Sequence, residues 1–140
     1  MSAKYFIDTN IFVYSFDNRQ PSKKVRSSAL IQEALKTGMG VISTQVIQEF
    51  LNVATQKFAI PMRIEDAKGY TRLVLNPLCQ VYPDLALYES CLELQAETRY
   101  SFYDALILAA AVRGGCDLLY SEDLQDGQQV RGVKIINLYR

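Results

Sequence analysis

The 140-residue chain predicts an α/β fold, a three-layer sandwich with helices on both faces of a mostly parallel sheet of four or five strands. Three observations carry that prediction. Short apolar runs at Tyr5–Ile7, Val41–Ile42, Leu78–Tyr82, Leu118–Tyr120 and Val133–Ile136 have the composition of strands buried on both faces. Longer stretches of helical character separate most of them. The runs end abruptly in polar residues, Pro or Gly, and right-handed crossovers between parallel strands gather the strand ends at one edge.

Taken in order, Tyr5-Phe6-Ile7 forms the first strand, and Asp8 stands where it leaves the core. Ile11–Phe16 follows as a short helix, with Asp8, Thr9 or Asn10 available to cap it. Asp17–Pro21 reads as a loop. Ser22 opens a helix to about Thr37, whose apolar stripe is Val25, Ala29, Leu35 and, less well aligned, Ile31; Gly38 and Gly40 end it. After Val41-Ile42, Ser43 and Thr44 cap a helix over about 45–58. Val46, Ile47, Phe50, Leu51 and Ala54 form its buried face, and Glu49 lies off the middle of that face. A break at Ile60-Pro61 precedes a helix over about 63–75, which Asn76-Pro77 terminates.

Leu78–Tyr82 is the third strand, and Pro83-Asp84 starts a helix running to about Glu97. Ser101–Asp104 leads into Ala105–Val112, a run apolar on every side and therefore a central, buried helix; Gly114-Gly115 stops it. Leu118–Tyr120 is the fourth strand, followed by polar Ser121-Glu122-Asp123. Residues 127–131 form a loop before the last strand.

Composition narrows the chemistry. Hydrophobic residues make up 49% of the chain, enough for one packed core, so a single domain over residues 1–140 is expected. Fifteen basic side chains balance fifteen acidic ones, so overall charge does not announce a nucleic-acid binder. Histidine is absent, which excludes Ser-His-Asp and Cys-His arrangements and leaves a metal ion as the natural activator of water in a hydrolase. The three cysteines are odd in number and have no Cys-x-x-Cys spacing, which argues against a disulfide framework or a zinc cluster and fits a reducing compartment. The N-terminus lacks the pattern of a secretory leader, and Ala105–Val112 is too short to span a bilayer. A soluble cytoplasmic protein, with no membrane partner, is the expectation.

Four carboxylates fall near the predicted sheet edge. Asp8 follows the first strand, Glu49 lies about one helical turn beyond the second, Asp104 begins the helix that feeds the fourth, and Asp123 follows the fourth. Each alone has a plainer explanation. Asp8 can cap the next helix, Glu49 can be an exposed helix residue, Asp104 can complete a Ser-x-x-Asp capping box with Ser101, and Asp123 can be a turn residue. Their agreement in topology favours a shared acidic site, which hard divalent cations such as Mg²⁺ or Mn²⁺ would neutralise. Thr9, Asn10 and Ser121 either support that site or serve turns and caps. Arg19, Lys23, Lys24 and Arg26 make a basic patch suited to an RNA backbone or to an ordinary solvated helix start. The tyrosines can stack on bases or pack half-buried.

Asp8-Thr9-Asn10-Ile11, Gln48-Glu49-Phe50, Tyr103-Asp104-Ala105-Leu106 with Ala109-Ala110, and Leu119–Leu124 together resemble the PIN domain, and more narrowly the VapC-type toxins. The resemblance covers nearly the whole chain, with the motifs in the family's order. It implies an α/β/α fold and a Mg²⁺- or Mn²⁺-dependent endoribonuclease acting on RNA through metal-activated water. The acids map to Asp8, Glu49, Asp104 and Asp123, with Thr9 or Asn10 and Ser121 in support. It also implies a homodimer and a VapB-like antitoxin. Two departures stand out: Asn137-Leu138-Tyr139 replaces a closing Asn-Pro-Phe, and Ser121 stands where Thr is commoner. Two rival readings remain. One is another Mg²⁺-dependent phosphoryl-transfer domain, of phosphatase or receiver type, with Asp8 as covalent nucleophile; Asn10 breaks the Asp-x-Asp of that phosphatase class. The other is a non-catalytic RNA-binding adaptor.

Overall fold

The computed structural model describes residues 3–140. Its six-stranded sheet has the order β3-β2-β1-β4-β6-β5, where β1 is Tyr5–Ile7, β2 Gly40–Ser43, β3 Cys79–Val81, β4 Leu118–Tyr120, β5 Gln129–Val130 and β6 Val133–Ile136. All neighbours are parallel except β5 and β6. β1 lies at the centre, buried along its whole length, because Tyr5, Phe6 and Ile7 have packing partners on both faces.

The helices are α1 (Thr9–Tyr14), α2 (Pro21–Thr37), α3 (Thr44–Gln56), α4 (Ile64–Tyr70), α5 (Leu85–Thr98) and α6 (Phe102–Arg113). Strand β2 shows how they divide between the layers. A Cβ added at Gly40 would come within 2.3 Å of Ala34 on α2, so only glycine permits that approach. The next residue, Val41, lies against Gly114 at the end of α6. The pleat therefore puts α2 and α6 on opposite faces of the sheet. Residues Ala105–Ala111 of α6 are all buried, as an all-round apolar helix requires, and α5 packs over it.

Four details differ from the sequence reading. The sheet has six strands because Gln129–Val130 pairs antiparallel with β6, in a stretch expected to be loop. The hairpin turns on Arg131 (φ 49°) and Gly132 (φ 82°), two successive left-handed residues, as a tight two-residue connection demands. On α2 the buried residues are Ser27, Leu30, Ile31 and Ala34, while Val25, Ala29 and Leu35 are exposed. This is a regular 3–4 spacing that includes a serine, whose hydroxyl is satisfied by the Tyr139 hydroxyl at 2.6 Å. Asn76-Pro77 does not end the fourth helix at Leu75. A π-helical turn at Thr71–Leu75 and a further turn at Asn76–Leu78 carry the chain to β3, and Pro77 is accommodated at the start of that last turn. Finally, Ser43 occupies the N-cap position of α3 but makes no capping hydrogen bond through its side chain.

Candidate active site

Strands β1 and β4 lie side by side in register, ending at Ile7 and Tyr120. From β1 the chain continues into β2 and β3 on one flank, whereas β4 and β6 occupy the other. The sheet order thus reverses between β1 and β4, the place where open α/β sheets leave a crevice beyond their carboxyl ends.

Asp8 is the first residue past β1. Its N–H donates to the Tyr120 carbonyl at 3.0 Å, which ties it to β4. Its carboxylate caps α1, Oδ1 accepting from the Thr9 N–H at 2.7 Å, and Oδ2 accepts from the Ser121 hydroxyl at 2.8 Å. The same side chain thus caps α1 and lines the cavity at the sheet edge. Asp8 is 7% exposed. Burial pushes its carboxyl up to about 7, against the two hydrogen bonds that favour the charged form, and the negative charges of Asp123 and Glu49 add to the rise.

Thr9 and Asn10 hold two of the other acids. The Thr9 hydroxyl donates to Glu49 Oε1 at 2.6 Å, and Gln45 Nε2 to Glu49 Oε2 at 3.2 Å. Asn10 Nδ2 donates to Asp123 Oδ2 at 2.9 Å, while the Asp123 N–H donates to the Ser121 hydroxyl at 3.3 Å. Burial raises the Asp123 carboxyl, and the charges of Asp104, Glu122 and Glu49 push it further. Asp104 sits in the first turn of α6, where Ser101 caps the helix by accepting from the Asp104 N–H at 3.3 Å. Asp8, Glu49, Asp104 and Asp123 all line one cavity of ≈ 260 Å³, together with Thr9 and Asn10; Ser121 lies beneath it.

Gln45 and Asn52, to which the sequence assigns no site role, also line the cavity, as does Tyr103, one of the tyrosines able to stack on bases. Gln45 precedes Glu49 by four residues on α3, so helical spacing was the available signal. The basic patch does not line this cavity. Arg19 pairs with Asp17, Lys24 with Asn18, and Arg26 with the Leu138 carbonyl. Lys23 pairs with Glu122 at 2.5 Å above the rings of Tyr14 and Tyr139. Although burial opposes it, the Lys23 ammonium and the Tyr14 hydroxyl hold Glu122 below its ordinary value. Glu122 is thus neutralised, whereas its neighbour Asp123 faces the cavity.

The PIN-domain family model matches residues 5–127. The chain belongs to the PIN-domain family. No curated protein matches the sequence. Among solved structures, a PIN domain of this shape is similar to a toxin–antitoxin complex from Klebsiella pneumoniae, 23% identical over 99% of this chain and 98% of that one, with a TM-score of 0.66. It is also similar to VapBC2 from Rickettsia felis bound to a DNA fragment from its promoter, 18% identical over 94% and 96%, TM-score 0.64. VapC20 of Mycobacterium tuberculosis, described as a sarcin–ricin loop cleaving toxin, is 19% identical over 86% and 90%, TM-score 0.58. At such identities the likeness concerns the fold.

The donor set of this PIN domain fits a hard divalent cation in ligand type and in charge. It offers carboxylate oxygens, and among the described residues none of the four acids is in an ion pair with Lys or Arg. Their side chains do not stand as a closed cage: no three acids, cysteines or histidines among the described residues are drawn together for coordination. The Thr9 hydroxyl and the Asn10 amide occupy Glu49 and Asp123 instead.

Proposed function

We propose that this PIN domain is a Mg²⁺- or Mn²⁺-dependent endoribonuclease, the toxin of a VapC-type toxin–antitoxin pair. The observation that carries this reading is the group of four carboxylates, none paired with a described protein cation, at the reversal point of the sheet. Asp8 and Asp104 would be the principal metal ligands, with Asp123 completing the set. When bound, the cation supplies Lewis acidity toward the phosphodiester and acidifies water.

The chain's own groups do the rest. Thr9 N–H and the Ser121 hydroxyl orient Asp8 and favour its ionised form. Thr9 and Gln45 hold both oxygens of Glu49, which aligns the attacking water and takes its proton. Water attacks phosphorus in line, the P–O3′ bond breaks, and the products carry a 5′-phosphate and a 3′-hydroxyl.

Large apolar side chains at the surface, Ile64 on α4 and Leu85 and Leu92 on α5, supply faces for protein partners, here assigned to an antitoxin and a second copy of the chain. No helix among the described residues is long and apolar enough to cross a membrane. The test is cleavage of a defined RNA in Mg²⁺ by the wild type and by Asp8→Asn, with 5′-phosphate mapped at the cut. Cleavage that survives both Asp8→Asn and EDTA sinks the proposal.

A further inference from the structure

A second cavity, of ≈ 220 Å³, opens at the same sheet edge beside the acids. Ser43 at the end of β2, Pro83 beyond β3 and the first turn of α6 surround it, and Gln45 and Tyr103 wall both cavities. The two differ in chemistry. Among the described residues no Asp, Glu, Lys or Arg lines the second one, whereas Tyr88, Phe102 and Tyr103 do. Tyr103 is 65% exposed, and its ring meets Phe102 edge-on at 5.3 Å.

Among the described residues, two polar atoms belonging to residues that line this cavity are buried without a hydrogen-bond partner, Ser43 Oγ and Gln45 Oε1. Their residues are 3% and 8% exposed. Such atoms are rare in folded proteins and mark a place where a partner belongs. Both have a defined chemistry. Ser43 stands at an N-cap position yet leaves its hydroxyl uncommitted. The Gln45 amide nitrogen is engaged by Glu49 Oε2 and the Tyr103 carbonyl, so turning the amide over would set oxygen against oxygen. Gln45 Oε1 is therefore a fixed acceptor.

We propose that this cavity is a nucleobase subsite: a base adjoining the cut phosphate stacks on Tyr103, gives an N–H to Gln45 Oε1 and has a second edge atom read by Ser43 Oγ. The inference rests on the RNA-cleaving reading and adds where sequence preference arises. The absence of cationic walls disfavours a phosphate. The volume lies below the roughly 300 Å³ at which drug-sized pockets begin, so it suits one heterocycle. Aromatic faces that accept any base, beside polar atoms that distinguish base edges, are the usual division of labour in single-strand recognition.

The test has two arms. In EDTA, where cleavage is stopped, binding of the full chain to labelled single-stranded RNA hexamers that differ at one nucleotide is followed by fluorescence anisotropy. One base is preferred, Tyr103→Ala weakens binding to every hexamer by about tenfold, and Ser43→Ala erases most of the preference. Equal binding of all hexamers, or a preference untouched by both variants, overturns the subsite and leaves the polar pair as the seat of a structural water. In Mg²⁺, the wild-type cut sites show the same base at the same position. Cleavage without that preference removes the subsite and keeps the nuclease; base-selective binding without cleavage does the reverse. Thermal melts check folding, and exposed Tyr103 decides the matter alone if Ser43→Ala does not fold.

Discussion

Replacing Asp8 by Asn probes the electrostatics of the acid cavity apart from catalysis. Burial raises the Asp8 carboxyl from 3.8 to about 7. A carboxyl raised on folding contributes stability that is complete below pH 3.8, falls between there and pH 7, and is gone by about pH 8. At about 1.36 kcal/mol per pH unit, the ionised side chain costs the metal-free protein on the order of 4 kcal/mol at pH 8. Asn carries no charge and can still accept from the Thr9 N–H, but its amide then faces the Ser121 hydroxyl, a mismatch worth about 1–2 kcal/mol. Asp8→Asn is therefore more stable than the wild type by about 2 kcal/mol at pH 8 in EDTA, and that advantage shrinks by about 2–3 kcal/mol at pH 5. Urea denaturation of both proteins at the two pH values measures it. Magnesium at a hundredfold its Kd stabilises the wild type by about 2.7 kcal/mol, so the order reverses when the variant, lacking one carboxylate, gains less than about 0.7 kcal/mol. A stability difference that does not change between pH 5 and pH 8 refutes the claim that the cavity strains the Asp8 charge.

Two further perturbations follow from the same geometry. Ser121→Ala deletes a hydrogen bond to ionised Asp8, so the acid limb of the kcat/KM profile moves up by about one pH unit; an unmoved limb would deny Ser121 that role. Gly40→Ala places a Cβ 2.3 Å from that of Ala34, and the required shift of α2 against β2 lowers stability by about 1–3 kcal/mol in urea titrations without altering the acids.

Individual elements differ in how plainly they can be read. Tyr5–Ile7 and Ala105–Ala111 are apolar on every side, and burial follows from composition alone. Ser27 is polar yet buried on α2 because its hydroxyl is satisfied by Tyr139, 112 residues away. The β5 strand is not legible in the sequence because two residues are too few to show a period, and its turn depends on Arg131 taking a left-handed conformation.

The candidate site divides in the same way. Asp8, Asp104 and Asp123 are candidates by their place after a strand or at a helix start, where polar residues interrupt apolar runs, and Glu49 by lying about one helical turn beyond a strand. Which donor holds which acid could not be named. Asn10 reaches Asp123 across 113 positions and Thr9 reaches Glu49 across 40, and such pairings exist only once the strands have taken their order. The same holds for the raised Asp8 carboxyl, which depends on what surrounds the side chain, and for the unpaired atoms of Ser43 and Gln45. Local patterning in the sequence determines the elements and the chemistry available at their ends. The tertiary structure alone decides which groups meet and how far water is kept from them, because hydrogen bonds and desolvation act over a few ångströms of space, whatever the distance along the chain.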